Sequence, residues 1–243
     1  MSAGTAAACA AEMHAGERLR MPLVTSRHAW LERLCASMAG EVAHVGCADS
    51  PYTAELIAAG LLLHERLAAA AAVTGFDVDA AAVALLRRRM PGQRFVLADV
   101  GAEVPSADLE RYALVIAGEV LEHVADANAF LLGCAKLLAP GGQLCVTVPN
   151  ACSPKIGLRA LAGRESVHPD HRVYYGPRTL RRTLEGAGYE LEQMASCFAP
   201  LAGRAGKLIF NPLLRADHRL SGGPVGDGLI AVARVGAAVP PTL

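Results

Sequence analysis

The 243-residue chain is 53% hydrophobic with a formal net charge of zero, which allows one domain with a sizeable core and an appendage and gives no global pull toward nucleic acid or an anionic membrane. The charge is uneven: 11 Lys/Arg stand against 16 Asp/Glu through residue 150, and 12 against 7 beyond it, so the basic C-terminal third would suit an anionic substrate as well as a solvated surface. Seven cysteines, an odd number without a Cys-x-x-Cys pair, argue against a disulfide framework and a zinc ribbon and fit a reducing cytoplasm.

Residues 1–25 read as an N-terminal arm ahead of a single domain over 26–243. The arm lacks the basic-then-apolar order of a signal peptide. No uncharged run reaches the roughly 18–20 residues a membrane span needs, so a soluble chain is expected. A helix is predicted from Ser26 to Met38, then a strand from Glu41 to Val45. That strand runs into Gly46-Cys47-Ala48-Asp49-Ser50-Pro51, a turn of small residues, and a helix begins near Tyr52. A second apolar segment, Ala70 to Phe76, ends at Asp77, and a helix over Ala80 to Arg89 stops at Pro91-Gly92. The strand Arg94 to Ala98 ends at Asp99.

The block from Tyr112 to Asn150 is the most informative. Ala113-Leu114-Val115-Ile116-Ala117 is an apolar run without alternation, as in a strand buried on both faces. Phe130, Leu131, Cys134, Leu137 and Leu138 make one helical stripe, and a second apolar run closes at Pro149-Asn150. Together they read as strand, helix, strand. Beyond them, Ala151 to Pro177 is punctuated by prolines and reads as a cap without a long helix. A helix from Arg178 to Gly186 and a strand from Tyr189 to Ala195 follow, then an insertion over 196–228 and a last strand, Leu229 to Val235. Gly206 to Leu214 within that insertion is helix-like, suited to core packing, a lid or a dimer contact. The alternation gives an α/β fold with a doubly wound, mostly parallel sheet and a late antiparallel pair at its edge.

Polar residues cluster where open α/β sheets place ligands, at the carboxyl ends of strands. Gly46 with Ala48 and Asp49 allows close backbone approach, and the next helix adds free N–H groups. Asp77 could accept two hydroxyls side by side, or cap a helix as Asp79 could. It lies 31 residues after Gly46, more than the roughly 20 of dinucleotide sites, as if a helical turn with Leu61-Leu62-Leu63-His64 were inserted. If the chain turns helical after Gly118, then Glu119, Glu122 and His123 share one face. His123 would then be placed as a general base or substrate-orienting group. His168, His171, Tyr174 and Tyr175 follow in the cap as candidate pocket residues, and Arg159, Arg164, Arg172 and Arg178 as candidate anion ligands or a solvated face.

The order of features resembles class I S-adenosylmethionine-dependent methyltransferases over roughly residues 40–235. It comprises the small-residue turn, Asp77, Asp99, Gly118-Glu119-Val120-Leu121-Glu122-His123, and Leu138-Ala139-Pro140-Gly141-Gly142. His168-Pro169-Asp170-His171 with Tyr174-Tyr175-Gly176-Pro177 is similar to the branch of small-molecule enzymes of the ubiquinone-biosynthesis type. The resemblance implies a seven-stranded Rossmann-like sheet with an antiparallel C-terminal edge strand and a small cap. It implies S-adenosylmethionine held by Gly46, Ala48, Asp49, Asp77, Asp99 and Glu119, with S-adenosylhomocysteine as product. It also implies methyl transfer to oxygen or nitrogen of a small acceptor, with His123, Glu119 and His171 as the catalytic set and no metal. The chain departs from the family's Gly-x-Gly-x-Gly, having Gly46, Ala48 and Ser50, and His44 stands where an acid is common.

Three rivals are weighed. Glu119, Glu122, His123 and His171 are similar to the metal site of small-RNA 3′-terminal ribose 2′-O-methyltransferases, although the chain lacks their basic bias and aromatic platform. A non-catalytic methyltransferase-like binding protein would have kept the fold and lost glycines. A nicotinamide oxidoreductase is disfavoured, because there is no Gly-x-Gly-x-x-Gly and Tyr174 and Tyr175 are followed four on by Arg178 and Thr179 instead of Lys.

Overall fold

The computed structural model describes residues 19–165, 167–198 and 211–236. Most of the expected arm, the middle of the late insertion and the first half of the Gly206 to Leu214 stretch lie outside the described residues. In chain order the elements are β1 (Leu23–Val24), α1 (Arg27–Ala36), β2 (Val42–Val45), α2 (Thr53–Ala59), α3 (Leu63–Ala68), β3 (Val73–Asp77), α4 (Ala80–Arg89), β4 (Arg94–Leu97) and β5 (Tyr112–Gly118). They continue with α5 (Ala127–Leu137), β6 (Leu138–Pro149), α6 (Pro154–Leu161), α7 (Pro177–Gly186), β7 (Tyr189–Cys197), α8 (Asn211–Ser221) and β8 (Gly228–Val235).

The strands form one sheet in the order β1-β7-β8-β6-β5-β2-β3-β4. All neighbours are parallel except β8, which runs antiparallel to both β6 and β7. Among the described residues the sheet thus has eight strands where seven were expected. The eighth comes from the arm, where Leu23 and Val24 pair with Ser196 and Cys197 and cover the edge of β7 that would otherwise be left open. The antiparallel strand itself sits one place inside the β7 edge.

Strand alternation divides the core between two faces. Ala43, Val45, Val115, Ala117, Leu144 and Val146 pack with the α5 stripe and with Leu180 and Leu184 of α7. Val42, Leu114, Ile116, Cys145, Ile230 and Val232 pack with Leu31 and Cys35 of α1 and Leu63 and Leu67 of α3. The extra length between Gly46 and Asp77 is taken up by α3, ahead of β3. α6, which begins with Pro154 at its first turn, is a helix where a loop cap was expected. It is short, fully buries none of its side chains, and leaves Leu158 and Leu161 exposed.

Chain order reverses between β2 and β5: β3 and β4 build outward from one side of β2, and β6 from the far side of β5. Val45 of β2 is level with Phe76 of β3 and Ala117 of β5. The turns that follow these strands therefore open at one point above the sheet. Such switch points are where open α/β sheets hold ligands.

Candidate active site

Gly46 is the hinge of the site. Its φ of +75° is a left-handed conformation, and a Cβ there would stand 2.2 Å from a methyl of Val120, so the turn needs glycine. Its N–H donates to the carbonyl of Phe76. The next turn residues are fixed by Asp77, whose Oδ2 accepts from the Ala48 N–H at 2.9 Å and whose Oδ1 accepts from the Asp79 N–H at 3.0 Å. Asp79 caps α4, leaving the Asp77 carboxylate at the rim of the cleft. Asp99 accepts from the Gly101 N–H and faces the same cleft.

Two cavities meet at Gly46. One, of about 430 Å³, is mostly apolar and is lined by Asp77, Asp99, Val120, His123, Phe130 and neighbouring backbone. The other, of about 240 Å³, is lined by Arg27, His28, His44, Asp49, Leu63 and Gly118 among others. A third, larger groove, about 840 Å³, lies between α7 and β7 and contains none of these residues.

Charge is concentrated in the smaller cavity. Arg27 is paired with Glu119 at 2.5 Å, and Glu119 also accepts from the Thr147 hydroxyl at 3.2 Å. Burial works against the Arg27 charge, but Glu119, with Asp49 and others, more than offsets it, and the guanidinium pKa rises. Asp49, with φ +51°, has its pKa raised by burial despite Arg27. Arg27 was not among the arginines singled out from the sequence. Its signal was a broken local rule: a cation directly after the Ser26 cap, at the positive end of a helix.

The segment after Gly118 is a turn and not a helix. Glu119 has φ +57°, and the His123 N–H donates to the Val120 carbonyl. Glu119 is therefore directed to Arg27, apart from Glu122 and His123. The cap supplies the third member of that second group, because the N–H groups of Arg172 and Val173 both reach the Glu122 carbonyl. Glu122, His123 and His171 present ligand atoms within 4.8 Å of one another. Of the four metal candidates, the structure brings together three and leaves Glu119 out.

Glu122 is 1% exposed, and neither of its oxygens has a hydrogen-bond partner among the described residues. Burial first, then Glu119, raises its pKa well above the usual carboxylate range. The His171 ring lies 4.6 Å from that of His123 and 6.2 Å from Tyr174, and its pKa is lowered by burial, then by His123 and His168. His168 stands 5.9 Å from His123 at the outer rim. Tyr175 departs from expectation. It is 3% exposed, packs in the α5 face of the core, and pairs with Asn150 in an isolated parallel bridge. Neighbours in an extended chain point opposite ways, so Tyr174 lies beside His171 and Tyr175 enters the core.

Residues 30–194 match the family model of the methyltransferase domain, and the chain belongs to that family. Its members use S-adenosylmethionine. The chain is 31% identical over 169 residues to a protein of Mycolicibacterium smegmatis named as a probable S-adenosylmethionine-dependent methyltransferase, covering 69% of this chain and 59% of that one. It is 34% identical over 154 residues to the ubiquinone biosynthesis O-methyltransferase of Dinoroseobacter shibae, covering 59% and 61%. The chain thus spans about three-fifths of the length of these relatives. A methyltransferase of Bacillus halodurans shares the fold, with a TM-score of 0.57, 18% identity and coverage of 87% of this chain and 99% of that one. So does the N-methyltransferase NodS of Bradyrhizobium japonicum in complex with S-adenosylhomocysteine, with a TM-score of 0.53, 19% identity and coverage of 86% and 85%.

The cofactor fits what this chain presents. Gly46 leaves open a cradle that a Cβ would fill, an acid stands at the end of β3, and the Arg27 Nε is buried without a partner among the described residues.

Proposed function

We propose that this protein moves a methyl group from S-adenosylmethionine to an oxygen or nitrogen of a small-molecule acceptor. The observation that carries the reading is the pair of cavities joined at Gly46, one apolar with Asp77 and Asp99 at its rim, the other charged. Asp77 would hold the ribose hydroxyls and Asp99 the adenine amino group, against Val120 and Phe130. Arg27 would take the carboxylate of the amino-acid end, and Glu119 and Asp49 its ammonium. Bound S-adenosylmethionine supplies a methyl carbon on a sulfonium, and the loss of that charge drives the transfer.

The chain's own task is alignment and proton removal. His123 lies between the cofactor cleft and the cap, so its imidazole would accept the proton from the attacking hydroxyl or amine as the new bond to carbon forms and the carbon–sulfur bond breaks. His171, His168 and Tyr174 would line the acceptor pocket. The domain would span residues 26–243, with the cap over the site. The six cysteines among the described residues are free, five of them buried, which supports a reducing compartment such as the cytoplasm. Among the described residues no helix is long and apolar enough to cross a membrane.

A second reading rests on the unpartnered Glu122 carboxylate. With His123 and His171 it makes a donor set suited to a divalent ion, which would supply Lewis-acid activation of an acceptor hydroxyl. That would suit a vicinal diol, including an RNA 3′ end.

The test is transfer of labelled methyl from S-adenosylmethionine to a panel of phenols, catechols, amines and short RNAs, each with Mn²⁺ or with chelator. Transfer to a small acceptor that persists in chelator and falls about 100-fold in His123→Ala is expected for a positioned base. Transfer that stops in chelator supports the metal reading, and unchanged turnover in His123→Ala removes His123 from the mechanism.

A further inference from the structure

Behind the charged cavity two histidines are buried against each other. His44 of β2 and His64 of α3 are 1% and 0% exposed, and their Nδ1 atoms lie 3.2 Å apart with the ring planes parallel to within 7°. A hydrogen bond between two like ring nitrogens uses one proton, so one Nδ1 is a donor and the other an acceptor. The far nitrogen of His64 decides which. Its Nε2 is buried without a partner among the described residues, and the ring beside it, Phe95 at 4.8 Å, offers no oxygen. Buried N–H groups left without an acceptor are rarer than under-used acceptors, so the proton of His64 belongs on Nδ1.

His44 then accepts at Nδ1 and carries its own proton on Nε2. That nitrogen is 3.9 Å from where a Cβ on Gly118 would stand, and His44 and Gly118 line the same cavity as Arg27. We propose that His64 fixes His44 as the Nε2–H tautomer, so that His44 donates a hydrogen bond to the carboxylate of the bound cofactor beside Arg27. His44 is thereby a cofactor-binding residue and His64 a positioning residue. The inference rests on the reading of this cavity as the seat of the cofactor's amino-acid end.

The test compares calorimetric binding of S-adenosylhomocysteine with that of 5′-methylthioadenosine, which lacks the amino-acid end. In His44→Leu and in His64→Leu, S-adenosylhomocysteine affinity is expected to fall about 10-fold or more while methylthioadenosine stays within about 2-fold. His64→Asn, whose amide N–H can replace Nδ1–H, is expected to restore affinity to near the native value. Equal loss for both ligands, or no loss in His44→Leu, overturns the proposal. Methylthioadenosine binding to the native protein with no gain from the amino-acid end overturns the cavity reading as well, and binding of neither ligand overturns the cofactor site as a whole. Imidazole ¹⁵N spectra of the native protein need no variant to fold: a protonated Nδ1 on His64 and a protonated Nε2 on His44 are expected, and the reverse assignment refutes the relay.

Discussion

Arg27 and the histidines around it show what burial of polar groups costs this chain. A guanidinium at a helix N-terminus opposes the helix dipole, and its burial is offset by Glu119 and Asp49. At His28 the pull of Glu32 and Glu119 is outweighed, and His64 has no such anion acting on it. Burial lowers both pKa values to about 4, helped at His28 by Arg27 and Arg66. Each binds its proton more readily in the unfolded chain, so its contribution to stability is full above about pH 6.5 and is lost as the pH falls toward 4. Glu122, with its raised pKa, works in the opposite sense, which makes a difference measurement the clean one. Between pH 7 and pH 4, urea unfolding of the native protein should lose about 3 kcal/mol more stability than that of His64→Leu. Equal losses in the two proteins would show that His64 does not stay neutral in the fold.

At the scale of elements, α5 is seated by a single glycine. A Cβ on Gly133 would lie 1.8 Å from the carbonyl oxygen of Val100, a backbone atom just beyond the Asp99 rim of the cleft. Gly133→Ala should therefore destabilise the protein by about 1–3 kcal/mol, read from the urea midpoint, even though alanine is the better helix former. A neutral or stabilising outcome would mean that the helix has room to move. The strands and long helices of this fold were legible as apolar runs and as the α5 stripe. Less legible were features set by one backbone angle or by contacts distant in sequence. The positive φ of Glu119 turned an expected helix into a turn and divided an expected four-residue cluster in two. α6 is eight residues long in a proline-marked stretch and fully buries none of its side chains, β1 is two residues long and exists only through its pairing with β7, and Tyr175 reads like Tyr174 until the alternation is fixed by its bridge to Asn150. Arg27 reaches the site from a helix 19 residues before Gly46, a contact no local pattern announces.

For the molecule as a whole, the site follows from topology. Reversal of chain order between β2 and β5 opens a gap above the sheet. The turns after β2, β3, β4 and β5 bring Gly46, Asp77, Asp99 and Glu119 around it. α1 closes one side with Arg27, and the cap closes the other with His171, tied to the Glu122 carbonyl by two backbone hydrogen bonds. The site is thus assembled from segments spanning most of the described chain, with the cofactor's groups expected on the sheet and α1 and the acceptor's on the cap. The most direct measurement of this division is calorimetric titration of S-adenosylhomocysteine into the native protein, Asp77→Ala and Arg27→Met without added metal. Micromolar binding to the native protein is expected, weakened about 10-fold or more in each variant by loss of a charged hydrogen-bonding partner. Equal binding by all three proteins, or no binding by the native one, would contradict it.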